Sequence, residues 1–158
     1  MKKELNWAVL GCGVIANEMA QALEHMGKHL YAVGNRTHEK AVTFAEKYGV
    51  QKVYDDFQEM FHDPDVDVIY ITTPHNTHIE FAREALAGGK HVLCEKPIAS
   101  NASEFQQMYD TAIKNQVILL EAVRSVFSPG FAVIRSLLPV LGTIRQIDFS
   151  FCKYSSRY

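Results

Sequence analysis

Cysteine is scarce in this sequence, and neither sign of charge is in excess. The three cysteines, Cys12, Cys94 and Cys152, are an odd number, lie far apart and form no Cys-x-x-Cys pair. That excludes a disulfide framework and suggests no zinc site, so no metal is expected. Lysine and arginine number 16 against 18 aspartates and glutamates, a net charge of −2. No basic face invites nucleic acid or an anionic membrane surface. No apolar run approaches the ~18 residues of a membrane helix. Met1-Lys2-Lys3 before an apolar run imitates a signal peptide, but Gly11 and Gly13 interrupt the run and no small-x-small cleavage site follows. The expected address is cytoplasmic. Repeats and low-complexity tracts are absent too. At 158 residues, 47% of them hydrophobic, the chain can build one complete core but not two full domains.

What is present starts with Trp7-Ala8-Val9-Leu10, an apolar run of strand length that breaks at Gly11-Cys12-Gly13 and resumes with helical spacing from Val14. This is a buried strand passing into a helix through Gly-x-Gly-x-x-Ala. Gly11 permits the tight turn, Gly13 lets a pyrophosphate approach the backbone, and Ala16 lets the helix pack on the strand. Val14 and Ile15 open that helix, whose free N–H groups and partial positive charge suit phosphates. Plain strand–helix packing is the alternative reading, and Cys12 reads as a small packing residue.

Further along, Leu30 to Val33, Lys52 to Tyr54, Val66 to Thr72, His91 to Cys94 and Val117 to Leu120 read as strands. Helices with apolar residues at i, i+3 and i+4 separate them, and Gly27, Gly49 and Gly88-Gly89 are fitting stops. Thr37, Asp55 or Asp56, and Asn101 or Ser103 are the expected N-caps. Regular alternation with short connections predicts an α/β fold, a doubly wound parallel sheet of the Rossmann type over residues 1–123. Ligands of such sheets lie outside the carboxyl ends of the strands. Gly11 to Ala16, Asn35-Arg36, Thr72 to His78 and Glu95 to Pro97 all fall there, and one edge should gather them.

The end of the second strand bears on cofactor choice. An NAD-binding chain usually has Asp or Glu there to bond the ribose 2′-hydroxyl. Here Asn35 stands in that place and repels no 2′-phosphate, while Arg36 can pair with one or stack on adenine. NADP, or dual use with NAD, is favoured. His75 and His78 have metal-like spacing without further ligands; the better reading places Thr72, Thr73, Pro74, His75 and His78 in the loop over the fourth strand.

Gly11-Cys12-Gly13-Val14-Ile15-Ala16, Thr73-Pro74-x-x-x-His78 and Gly89-Lys90-His91-Val92-Leu93-Cys94-Glu95-Lys96-Pro97 occur in this order. Together they make the chain resemble the glucose–fructose oxidoreductase and inositol dehydrogenase (Gfo/Idh/MocA) family of NAD(P)-dependent enzymes. The resemblance implies hydride transfer between a nicotinamide cofactor and a sugar, polyol or related small hydroxyl or carbonyl compound. It gives the loop after Thr72 a role beside the nicotinamide half of the cofactor, and places Glu95 and Lys96 in the site with Lys96 as the catalytic residue. An ammonium there can hold a substrate hydroxyl and stabilise the alkoxide formed as hydride leaves. The plain alternative is a surface lysine paired with Glu95. A cis bond before Pro97 is implied as well. His75 stands where the family commonly has Asn, and Val126 where it often has Arg.

Residues 124–158 depart from the alternating pattern. Ser128-Pro129 opens a helix, and Ile147, Phe149 and Phe151 then alternate with polar residues as a half-exposed strand should. These residues read as the first helix and strand of an incomplete second α/β domain, the part that in the family carries the substrate pocket, a catalytic His and the face used in homo-oligomers. The chain alone is therefore expected to bind cofactor without turning it over, its tail strand pairing with its counterpart in a second copy or packing on a neighbouring molecule. A non-catalytic dinucleotide-binding or sensing module is the alternative function. An S-adenosylmethionine-binding methyltransferase is a third, disfavoured by Glu95-Lys96-Pro97.

Overall fold

The computed structural model describes residues 4–150 and 152, which divide into two compact units meeting at Ala122–Val123. The first unit is a six-stranded parallel sheet of order β3-β2-β1-β4-β5-β6. Its strands are β1 (Trp7–Leu10), β2 (Ala32–Gly34), β3 (Lys52–Tyr54), β4 (Val68–Ile71), β5 (His91–Cys94) and β6 (Leu119–Glu121). Between them run α1 (Val14–His25), α2 (His38–Tyr48), α3 (Phe57–His62), α4 (His78–Ala87) and α5 (Ala102–Lys114). β1 pairs with β2 through Ala8–Ala32 and Leu10–Gly34, and with β4 through Ala8–Ile69 and Leu10–Ile71. The strand order therefore reverses across β1 and β4, and a crevice opens at that reversal.

Because side chains alternate across each strand, the sheet splits the core in two. Ala8, Leu10, Ile69, Ile71, Val92 and Cys94 pack with Met60, Phe61, Leu86 and Met108 on the face of α3, α4 and α5. Val9, Val33 and Tyr70 pack on the other with Ala16, Ala20, Leu23, Phe44 and Tyr48 of α1 and α2. Small residues set how near two elements come. A methyl group at Gly88 would lie 2.3 Å from the Phe61 carbonyl oxygen, so the end of α4 presses directly on α3.

The caps refine the expectation. Asp56, rather than Asp55, accepts the Gln58 N–H, and Asn101, rather than Ser103, accepts the Glu104 N–H. Thr37 stands at the cap position of α2, but its side chain makes no capping bond. Gly49 ends α2 in the left-handed conformation at φ 64°.

In the second unit α6 (Pro129–Leu141) begins as expected, the Ser128 hydroxyl oxygen accepting the Phe131 N–H. The strand expected after Gly142 does not form: residues 144–150 have no regular secondary structure. A strand needs a partner for its backbone groups, and none pairs with it among the described residues. Phe151 lies outside the described residues. Among those described, no helix is long and apolar enough to cross a membrane.

Candidate functional site

The carboxyl ends of β1, β2 and β4 surround a cleft of about 420 Å³, lined in part by Gly11, Gly13, Asn35, Arg36, Thr72, Thr73 and Pro74. Two glycines shape it for different reasons. Gly11 has φ +105°, and a Cβ there would stand 2.7 Å from the Thr72 hydroxyl oxygen and 3.2 Å from the Thr72 carbonyl. The turn is wedged against β4 and tied to β2, since the Gly11 N–H donates to the Gly34 carbonyl at 2.8 Å. Gly13 has φ −75°, and a Cβ there would meet nothing within 4 Å. Its missing side chain leaves open space over the start of α1, where no side chain caps the helix and no acidic residue occupies the first turn. Uncapped N–H groups at the positive end of a helix favour an anion.

The end of β2 adds charge. Arg36 and Lys40 are exposed and both line the cleft, and no carboxylate does. Asn35 folds back, its amide donating to the Thr37 carbonyl at 3.0 Å. Burial pushes the Cys12 thiol up to about 11, against a smaller opposing pull from the Lys40 ammonium. At neutral pH it is a neutral thiol, which suits packing rather than redox sensing.

The other side of the crevice is built by the loop after β4. The Thr72 N–H and hydroxyl both donate to the Leu10 carbonyl, at 2.9 and 3.1 Å. A short 3₁₀ turn, His75–Thr77, then leads into α4. The Thr77 hydroxyl donates to Thr73 Oγ1 at 2.8 Å or to the Pro74 carbonyl at 2.7 Å. His75 is exposed and does not line the cleft, although its neighbours Pro74 and Asn76 do. His78 is fully buried, with Nε2 3.0 Å from the Thr73 carbonyl and Nδ1 2.9 Å from the Pro97 carbonyl. Its expected contact with a ligand is therefore corrected: both ring nitrogens are engaged by backbone, and no surface is left to offer.

One strand further on, the Lys96–Pro97 bond is cis. The Glu95 carboxylate accepts the Tyr70 hydroxyl at 2.6 Å and the Lys96 N–H at 3.2 Å. The Lys96 side chain is exposed and makes no ion pair with Glu95 among the described residues. Glu121, at the end of β6, accepts the Ile98 N–H at 2.9 Å and so steadies the turn that carries Lys96.

Ile15 is not in the lining: it packs on the apolar cluster beneath α1, because its side chain follows the buried stripe of the helix. Val14 sits on a shallow groove beside the cleft, next to Gly13 and Asn17. Neither Glu95 nor Lys96 lines the cleft itself. Lys40, Phe57 and Phe81 do, and the sequence reading passed over them. Phe57 and Phe81 meet edge to face at 5.4 Å and form an aromatic wall. Nothing local marks them: Phe57 opens α3 just after β3, but Phe81 lies within α4, well past the end of β4.

A family model described as the oxidoreductase family with an NAD-binding Rossmann fold (Gfo/Idh/MocA) matches residues 5–123. The chain belongs to this family. Among its relatives, the NADP⁺ scyllo-inositol 2-dehydrogenase of Bacillus subtilis is 37% identical over 155 residues, 98% of this chain and 47% of that protein. The trans-1,2-dihydrobenzene-1,2-diol dehydrogenase of Mus musculus is 38% identical over 146 residues, 90% of this chain and 44% of the relative. An NAD-binding oxidoreductase structure from Klebsiella pneumoniae superposes with a TM-score of 0.81 at 31% identity, covering 87% of this chain and 39% of the other. A 3-ketoreductase from Actinomadura kijaniata, solved with TDP-benzene and NADP, gives 0.80 at 26% identity, with 87% and 43% covered. The chain spans a little under half the length of the curated relatives it matches.

Proposed function

We propose that residues 1–123 are the dinucleotide-binding domain of an NAD(P)-dependent oxidoreductase acting on a sugar, polyol or related hydroxyl or carbonyl compound, with NADP preferred. The observation that carries this is the cleft itself, where Gly13 leaves open backbone at the start of α1 and two cations stand with no carboxylate. The uncapped N–H groups of α1 would take the pyrophosphate. Arg36 would meet a 2′-phosphate, with Lys40 in support. When bound, the nicotinamide group supplies or accepts the hydride. Lys96, exposed at the end of β5, would hold the substrate hydroxyl and pass its proton as the C–H bond on the same carbon gives up hydride. Residues 124–158 begin a substrate and oligomerisation domain on this reading, and the working enzyme is a homo-oligomer. The B. subtilis and mouse relatives, whose names state polyol- and diol-type substrates, support the substrate class.

Fluorescence titration with NADPH and NADH tests the reading. NADPH is expected to bind at least as tightly as NADH, and Arg36→Ala should weaken NADPH about tenfold or more while changing NADH less. Clearly tighter NADH binding by the unmodified chain overturns the cofactor preference, and binding of neither cofactor overturns the function.

A further inference from the structure

Of the residues that line or adjoin the crevice, His78 is the one whose burial is hardest to explain by packing. Apart from tyrosines and Cys94, the buried polar side chains among the described residues are Asp63, Lys90 and His78, and the first two belong to a network at the opposite edge of the sheet. His78 is the first residue of α4, and its ring reaches two loops at once. One is the Thr73 turn, which lines the cleft; the other is the backbone that follows Lys96. Both partners are carbonyl oxygens, one 2.9 Å from Nδ1 and the other 3.0 Å from Nε2. Other bonds hold each loop separately: Thr77 holds the Thr73 turn, and Glu121 holds Ile98 after Pro97. His78 stands within hydrogen-bond distance of both.

We infer that His78 is a positioning residue, a rigid strut that fixes the Thr73 turn and the Lys96–Pro97 turn at one separation. The inference rests on the reading above, in which the first turn faces the cofactor and the second carries Lys96. A planar ring with two side-chain torsions holds such a spacing better than a flexible chain would. The spacing matters because a displacement of about 1 Å between reacting groups can cost ~10²-fold in rate.

Two conservative replacements separate the ties, in the 158-residue chain as it stands. The Asn amide nitrogen falls where Nδ1 sits, so His78→Asn keeps the Pro97 tie and loses the Thr73 tie. Gln places its amide nitrogen near Nε2, so His78→Gln does the reverse. Two quantities are read: the NADPH Kd by fluorescence, and the rate at which acetic anhydride acetylates Lys96, followed by mass spectrometry. His78→Asn should weaken NADPH about fivefold or more and leave Lys96 reactivity near that of the unmodified chain. His78→Gln should hold NADPH affinity and change the Lys96 rate by about fivefold or more. If both variants fold and shift the two quantities alike, or shift neither, His78 only fills space and the inference fails. If either fails to fold, the unmodified chain carries the test through the ¹⁵N resonances of the His78 ring. NADPH should then move Nε2 and acetylation of Lys96 should move Nδ1; movement of neither overturns the inference. Failure of the unmodified chain to bind NADPH sinks the cofactor reading instead, and leaves the Lys96 reactivity of the Gln variant to judge the strut.

Discussion

Two glycines two residues apart show how differently one side-chain atom can count. At Gly11 a methyl group would strike Thr72 at 2.7 Å in a backbone conformation, φ +105°, that side-chain-bearing residues rarely adopt. Gly11→Ala is expected to destabilise the fold by about 1–3 kcal/mol, read as a lowered urea midpoint, because both the strain and the clash lie in the folded state. At Gly13 the backbone is ordinary and the space is open. Gly13→Ala should leave the unfolding free energy within about 0.5 kcal/mol of the unmodified chain and yet weaken NADPH, because the methyl group occupies the approach to the start of α1. Equal loss of stability in the two variants would contradict this division. The Gly-x-Gly pattern in the sequence announced both positions and assigned the turn to Gly11 and the ligand's approach to Gly13, but not what the Gly11 turn is wedged against. That is Thr72, sixty-one residues away in the chain, brought alongside by β4.

At the scale of elements, β1 and β4 were legible because strands buried on both faces read as continuous apolar runs. The caps at Asp56, Asn101 and Ser128 follow the same local logic, a short oxygen-bearing side chain reaching the next free N–H groups. Thr37 holds the cap position without the bond. Phe57, Phe81 and Lys40 were not legible as site residues, because only the folding of α2, α3 and α4 onto the sheet brings them to one cleft. A charged cluster at the amino edge of the sheet was likewise unforeseen. Lys52 begins β3 and donates to Asp63 Oδ2 at 2.8 Å; the Tyr54 hydroxyl donates to the same oxygen, and the Asp65 N–H to Oδ1 at 2.8 Å. Lys90, just before β5, donates to the Asp63 carbonyl at 2.5 Å. Burial alone would raise the Asp63 carboxyl, but the bonds from Lys52, Tyr54 and Asp65 outweigh it and hold the group at about 2. Unfolded, the same group titrates near ~3.9. Its contribution to stability is therefore complete above about pH 4 and is lost as pH falls through about 2, a matter of roughly 2 kcal/mol. Urea unfolding across that range should show the unmodified chain losing more stability than Asp63→Asn; parallel curves would remove Asp63 from the acid response.

For the molecule as a whole, the two units differ in what they cover. The first buries both faces of its sheet, with Phe61, Leu86 and Met108 fully enclosed on one and Val9 and Val33 on the other. The second has no buried residue in α6, and Phe131, Ile134, Leu137 and Leu138 stand exposed along the helix at spacings that share one side. Tail residues Ile147 and Phe149, read from their alternation as one face of a strand, are exposed too. Covering each of these apolar side chains would remove ~1.5–3 kcal/mol of exposure cost. A second copy of the chain is the proposed cover, in keeping with the homo-oligomer expected of the enzyme. Residues 1–122 alone should stay monomeric, fold with the same urea midpoint and bind NADPH with the same Kd, because the core and the cleft lie entirely within them. The 158-residue chain should sediment as a dimer or larger at micromolar concentration. Replacing Ile134 and Leu137 by Asp should return it to monomer without touching NADPH affinity. If the 158-residue chain sediments as a monomer before any substitution, the exposed helix does not drive association and the self-pairing idea fails, while the cofactor site is left standing.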